Sequence, residues 1–396
     1  MASVLNLAST TKTFRIAVVG VGLVGSEFIK QLLAFPAPSP FRLVSLSSSK
    51  ATVFHPDGLA VNDAGWKDEL ARSGRKPDLQ FLLRELCALV KPGQEVVLVD
   101  NTSSNDVAAL YPQFLKFGVN VITPNKKAFS SELSLYEQIL SASLESGAKF
   151  LNEATVGAGL PIISTLKDLV ATGDRVLKIE GVFSGTMSYI FNEFSTGKED
   201  GPSFSSVVSV AREKGYTVSA CKDPYGMRRR VHRVLGAPSG RRSQRGGCRP
   251  QAHDSLALHS IAAHRPSGRL PVREHEVACA PELESIESGD EFIQRLPEFD
   301  AQFDKMRADA AKEGKVLRFA GVVDVQTGTI KADLEKYVHP RWYPVTHPFA
   351  TALGGSDNII MFHTERYGAR PLVVQGAGAG AAVTAMGVMS DLLKLV

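Results

Sequence analysis

The first apolar run, Arg15-Ile-Ala-Val-Val19, is short and continuous rather than alternating. That pattern predicts a parallel strand covered on both faces. Phe41–Leu46, Glu95–Val99, Val119–Ile122 and Phe150–Leu151 predict further strands of the same kind. Between the first two, Phe28, Leu32 and Phe35 recur at helical spacing beside Ile29 and Leu33. The helix predicted over Ser26–Phe35 ends at Pro36 and Pro38. After Pro161, Ile162, Leu166, Leu169 and Val170 mark a helix running to Gly173. Val176–Phe183 predicts a strand that delivers Ser184-Gly185-Thr186 at its end, and helices are expected over Met187–Phe194 and Ser205–Lys214. Near the C-terminus, Pro371–Val374 predicts a strand, Gln375–Gly380 a glycine loop and Ala381–Leu393 a helix.

The pattern fails over residues 227–280, where Arg, Gly, Pro, Ser, Ala and His crowd together and hydrophobic periodicity is lost. Five of the nine His and three of the four Cys fall between residues 221 and 279, which marks the stretch as foreign to its surroundings. It reads as an out-of-frame translation of GC-rich coding sequence, and disorder is expected there. Charge changes the picture only here. Residues 228–281 hold eleven Arg, no Lys and three acids, so this segment carries +8 of a net +4 and the remainder is −4. No general basic surface points to nucleic acid. Elsewhere the composition, 44% hydrophobic and 22% charged, is ordinary for a globular protein long enough for two domains. No stretch approaches the ~18 apolar residues of a membrane span. Met1–Thr13 has no signal-peptide pattern, and Cys87, Cys221, Cys248 and Cys279 show no metal or redox spacing. A cytoplasmic, reducing location is expected.

The candidate chemistry clusters at strand ends. Gly20-Val21-Gly22-Leu23-Val24-Gly25 follows the first strand and opens the first helix, which is the context a dinucleotide-binding turn requires. Gly20 makes the tight turn, Gly22 admits the pyrophosphate, and Gly25 lets helix and strand pack closely. The second strand ends in Ser47, Ser48, Ser49 and Lys50, not in the acid that binds a ribose diol. Three hydroxyls and a cation favour NADP over NAD. The later runs lead to Asp100-Asn-Thr-Ser-Ser104, Thr123-Pro-Asn-Lys-Lys127 and Asn152-Glu153. In an open parallel sheet ligands bind at these carboxyl ends, so Thr102, Ser103, Lys126 and Glu153 are expected to converge on a cofactor. Lys126 is the cation of that set and the candidate to hold a developing oxyanion. Two readings stay open for Glu153-Ala-Thr-Val-Gly-Ala-Gly-Leu-Pro161: a tight strand-to-helix turn, or a carboxylate and freed carbonyls around a hard cation.

Together these segments resemble homoserine dehydrogenase, most closely the short fungal type without a regulatory extension. EATVGAGLP (153–161) and FSGTMSYIFNEFS (183–195) are its most specific matches, within stretches that cover most of residues 14–217 and 282–396. The resemblance implies an α/β Rossmann dinucleotide-binding domain, residues 1–153 and 365–396, completed by the C-terminal strand and helix. It also implies an α+β substrate and dimerisation domain, residues 154–364. It implies NAD(P)H-dependent interconversion of aspartate semialdehyde and homoserine, on the route to threonine, methionine and isoleucine, by a homodimer. Residue by residue, it places Gly20–Gly25, Thr102, Ser103, Lys126, Gly215 and Gly380 on the cofactor side, and Gly185, Thr186 and Tyr216 on the substrate side. Glu153, with the carbonyls of Val156, Ala158 and Leu160, matches a site for a monovalent cation, Na or K.

One departure stands out. After Thr217 the family carries acids for the substrate ammonium and a helix with a paired Asp and Lys for proton transfer. Here Asp223-Pro224 is the remnant, and no Lys stands between Lys222 and Lys305. The anomalous segment therefore spans about residues 218–281. A catalytically impaired NADP-binding homologue, or a mis-predicted gene product lacking the acid–base helix, is the alternative expectation.

Overall fold

The continuous run at the start becomes β1 (Thr13–Val19), and its interior position in the sheet explains its composition. It pairs in parallel with β2 (Phe41–Ser47) on one side and β4 (Gln94–Asp100) on the other. β5 (Val119–Ile122) and β6 (Phe150–Leu151) extend the parallel array. β3 (Thr52–Phe54) turns back antiparallel on β2, giving the order β3-β2-β1-β4-β5-β6. That is the order of a dinucleotide-binding sheet, with an antiparallel outer strand. The computed structural model describes residues 12–130, 133–213, 289–324 and 339–396.

Phe14, Ile16 and Val18 of β1 share one core with Phe28, Ile29 and Leu32 of the helix Leu23–Leu33 and with Ala385, Val388 and Leu392 of the helix Ala381–Leu393. Each large apolar side chain buried there contributes about 1.5–3 kcal/mol relative to exposure. The first helix begins at Leu23, three residues before the predicted start, because the glycine turn itself forms its first turn. No helix among the described residues is long and apolar enough to cross a membrane.

The chain divides into two compact units, Met1–Pro161 with Gly380–Val396, and Ile162–Ala379. The second holds an antiparallel sheet of β7 (Val176–Val182), β8 (Lys315–Asp324), β9 (His339–Pro344), β10 (Asp357–Thr364) and β11 (Leu372–Ala377), in the order β11-β10-β7-β8-β9. Its helices include Gly185–Phe194, Phe204–Glu213 and Asp300–Lys312. Phe191, Phe194, Phe204, Phe303 and Phe319 form their common core, with Phe204 and Phe303 stacked 3.8 Å apart. An α/β unit plus an α+β unit is the expected fold class.

Two expectations change. The C-terminal strand does not complete the parallel sheet: β11 pairs antiparallel with β10 in the second unit, and the helix after it is the part that joins the first. β11 also runs through Gln375-Gly-Ala377, so the glycine loop shrinks to residues 378–380. His339–Pro344 forms β9 at the sheet edge, where Pro340 and Pro344 are tolerated. Gly215, Tyr216, the segment 218–281 and its three cysteines lie outside the described residues.

Candidate active site

Steric demands at the glycine turn separate its three glycines. Gly20 sits at φ +87°, and its N–H donates to Ser47 O at 2.8 Å. A Cβ on Gly25 would lie 2.0 Å from Gly20 O, so only glycine lets this helix approach the turn. A Cβ on Gly22 would meet nothing within 4 Å. Gly22 therefore answers to something other than the protein's own packing. It also caps the helix Leu23–Leu33 without a side-chain hydrogen bond, which leaves the first helical N–H groups available to an anion. Val21 and Val24 pack on the core, whereas Leu23 is 82% exposed.

Beside this turn, Asn101 N–H donates to Val19 O at 2.8 Å. The Asn101 side-chain amide is buried with neither atom hydrogen-bonded, 3.5 Å from where a Gly25 Cβ would stand. A buried unpaired amide costs free energy that a ligand's polar groups recover. An open glycine, an uncapped helix start and an unpaired amide at one place fit a dinucleotide. Sequence reading passed over Asn101 and chose its neighbours. Thr102 backs onto the turn, its methyl 2.7 Å from a would-be Gly20 Cβ, and Ser103 is exposed.

The ends of β4 and β5 are joined by a buried polar network. Asp100 is fully buried; its carboxylate accepts from Thr102 N–H (2.8 Å), the Tyr111 hydroxyl (2.5 Å) and Asn125 Nδ2 (3.0 Å). Asn125 Nδ2 also donates to Ser104 O at 2.9 Å, and its Oδ1 accepts from Lys127 N–H at 3.0 Å. Thr123 Oγ1 donates to Asp100 O and accepts from Asn125 N–H, each at 2.8 Å. Burial, then the Asp100 charge and hydrogen bond, push the Tyr111 hydroxyl well above its ordinary pKa, so it remains a donor. Lys126 follows Asn125 directly and is partly buried.

Two of the hydroxyls expected at a 2′-phosphate are committed elsewhere. Ser47 is buried, with its Oγ 2.6 Å from Thr52 Oγ1. Ser48 Oγ donates to Ala51 O and accepts from the N–H groups of Lys50 and Ala51, closing the turn from β2 to β3. Ser49 and Lys50 are exposed.

The Glu153 loop is not a solvated turn. Glu153 is 4% exposed, and its Oε2 accepts from Lys394 Nζ at 3.1 Å. Asp391, also buried, accepts from the same ammonium (2.8 Å) and from Glu153 N–H (2.8 Å). Burial raises the Asp391 pKa, and Lys394 opposes that rise. Burial disfavours the Lys394 charge, but Asp391 and Glu153 outweigh it and the Lys394 pKa rises. The glycines here serve packing: a Cβ on Gly159 would lie 2.3 Å from Val383 O, and one on Gly387 would lie 3.0 Å from Ala158 O. Ala158 itself takes φ +56°. Among the described residues no group of three or more His, Cys, Asp or Glu could hold a metal. The one carboxylate of this loop is thus already paired with the Lys394 ammonium.

In the second unit, Ser184 caps the helix Gly185–Phe194 through Met187 N–H at 3.4 Å, so Gly185 and Thr186 form its first turn. A Cβ on Gly185 would lie 2.9 Å from Ser356 O and 3.2 Å from the Ala379 Cβ, a close packing that requires glycine. Gly380, in the first unit, has φ +124° and precedes the helix Ala381–Leu393.

Comparison with known proteins places this geometry. A family model described as the NAD binding domain of homoserine dehydrogenase matches residues 20–153. A second, described as homoserine dehydrogenase, matches 161–224 and 273–393. Homoserine dehydrogenase of Saccharomyces cerevisiae is 42% identical over 392 residues, 98% of this chain and 99% of that protein. A crystal structure of a Candida auris protein of unknown function superposes with a TM-score of 0.76 at 37% identity, covering 97% and 98% of the two chains. A hyperthermophilic archaeal homoserine dehydrogenase in complex with NADPH shares the fold, with a TM-score of 0.61 at 19% identity and 96% coverage of each chain. The impaired, non-catalytic alternative gains no support over the enzyme from these relatives. The first unit is an NAD(P)-binding domain, and the chain belongs to the homoserine dehydrogenase family of oxidoreductases.

Proposed function

We infer that this chain interconverts L-aspartate 4-semialdehyde and L-homoserine, with NADP(H) preferred over NAD(H). One observation carries the reading. The Gly20–Gly25 turn, Thr102–Ser103 and Lys126 stand at the carboxyl ends of three neighbouring parallel strands, β1, β4 and β5. Ligands bind at that edge in sheets of this kind. The absence of an acid at the end of β2, with Ser49 and Lys50 exposed beside it, supports a cofactor bearing a 2′-phosphate.

Bound nicotinamide supplies the hydride. The chain's own residues bind and orient. The N–H groups after Gly22 meet the pyrophosphate, and Asn101, Thr102 and Ser103 meet the adjoining sugar or ring. Lys126 holds the aldehyde oxygen as it gains negative charge, which is the ground for assigning it as catalytic. Gly215 and Gly380 belong to the cofactor side, and Gly185, Thr186 and Tyr216 to the substrate side, by resemblance. The same reading includes Na or K at Glu153 and the carbonyls of Val156, Ala158 and Leu160. It also includes a homodimer, a cytoplasmic location and a place in threonine, methionine and isoleucine synthesis.

The test is homoserine-dependent reduction of NADP and of NAD by the purified full chain, beside an NADPH titration. Turnover with higher kcat/KM for NADP is expected. NADPH binding without turnover would overturn the enzymatic reading, and a preference for NAD would overturn the assignment of Ser49 and Lys50.

A further inference from the structure

Asp100 is a fully buried carboxyl group whose hydrogen-bond donors are all neutral. A carboxylate taken out of water without a counter-charge is expensive, and it persists only where hydrogen bonds satisfy it. Here three neutral donors do so, and they come from different places: Thr102 N–H from its own loop, the Tyr111 hydroxyl from the helix Tyr111–Lys116, and Asn125 Nδ2 from the loop after β5. Asn125 is bound on both faces of its amide. Its nitrogen bridges Asp100 and Ser104 O, while its oxygen receives Lys127 N–H. Asn125 is 2% exposed and Tyr111 0%, so water does not compete for these bonds.

The consequence is geometric. Residues 102–104 and 125–127 are each fixed to one carboxylate, and Lys126 lies between Asn125 and Lys127, whose N–H bonds the Asn125 side chain. We propose that Asp100, Asn125 and Tyr111 are positioning residues that hold the Lys126 backbone at a set distance from the Thr102–Ser103 loop, so that the ammonium meets the substrate oxygen beside the cofactor. This rests on the reading of Lys126 as catalytic. A loosely held strand-end loop would carry the lysine through several positions, and a displacement of about 1 Å costs on the order of 100-fold in rate.

A double-mutant cycle of Asn125→Ala with Lys126→Ala tests the proposal in the full chain, with kcat, KM and the NADPH Kd measured for each protein. Asn125→Ala is expected to lower kcat about 100-fold in the wild-type background and less than about 3-fold in the Lys126→Ala background, with the NADPH Kd within about 3-fold throughout. The same loss in both backgrounds would mean that Asn125 acts on general stability, and would overturn the proposal. A Lys126→Ala protein with unchanged kcat overturns the reading of Lys126 itself, a different result from a failed cycle. Tyr111→Phe removes one hydroxyl and keeps the buried ring. It carries the same cycle if Asn125→Ala does not fold, with about a 10-fold loss expected in the wild-type background alone.

Discussion

Asp100 in the first unit and Arg318 in the second are both buried among neutral partners, and the two do opposite things. Asp100 in the first unit is an anion held by N–H and O–H donors. Arg318 in the second is a cation held by carbonyls: its guanidinium donates to Phe349 O (2.7 Å), Ser195 O (2.8 Å), Leu317 O (2.7 Å) and Phe191 O (3.2 Å). Burial lowers the Arg318 pKa to about 10, which still leaves it charged at neutral pH. Arg318 closes the C-terminal end of the helix Gly185–Phe194, where unpaired carbonyls and the helix dipole favour a cation. Of these carbonyls, Phe191 O also accepts from Ser195 N–H at 3.0 Å. Asp100 binds the loops at the carboxyl edge of a parallel sheet. The contrast teaches that an unpaired buried charge can serve either as a fastener or as a locator, and that its partners decide which.

Substitutions can break this contrast. Arg318→Met leaves several buried carbonyls without a donor and is expected to cost about 3 kcal/mol of stability. NADPH affinity of the folded protein should stay unchanged. Urea denaturation and cofactor titration measure the two quantities, and a loss of stability under about 1 kcal/mol would show that Arg318 fastens little. Asp100→Asn should do the reverse. The carboxamide turns a donor toward donors, costing about 2 kcal/mol, while kcat falls on the order of 100-fold. A stable Asp100→Asn protein with full turnover would remove the locator role.

Gly22→Ala sharpens the comparison at the turn, because its Cβ meets nothing in the protein. Thermal stability should hold within about 0.5 kcal/mol while the NADPH Kd rises about 10-fold. An unchanged Kd would place the pyrophosphate elsewhere. One further effect is confined to high pH. The folded pKa of Tyr111 lies well above its ordinary value of 10, so its contribution is fully present below pH 10 and is lost as pH rises through the folded value. Tyr136, raised by burial to about 12, adds to the same trend. Stability should therefore fall above pH 10 with a slope approaching about 1.4 kcal/mol per pH unit for each tyrosine. In Tyr111→Phe the fall should be shallower, and parallel curves for the two proteins would contradict the assignment.

The sheet and the glycine turn were legible because continuous apolar runs and the GxGxxG spacing are local signals. β3 escaped because three residues carry no periodicity, and β9 because two prolines disguise an edge strand. The partner of β11 is set by β10, a contact that no window of sequence contains. The site divides in the same way. Gly20, Gly25, Thr102 and Lys126 could be picked out by position at strand ends. Asp100 and Asn125 stood in the same polar clusters, but their importance comes from partners up to 25 residues away. Ser47 and Ser48 looked available to a phosphate until the turn from β2 to β3 used their hydroxyls. Glu153 was read between a turn and an ion site, and the tertiary partner that decided its burial, Lys394, lies at the far end of the chain.

The proposed role of Lys126 joins the locator to the chemistry, so the most direct measurement is homoserine-dependent NADP reduction by the full chain and by its Lys126→Ala variant, each with an NADPH titration. The account predicts turnover by the first protein, an on-the-order-of 100-fold lower kcat for the second, and NADPH affinities within about 3-fold of each other. Equal kcat for the two proteins, or no NADPH binding by the unmodified chain, would contradict it.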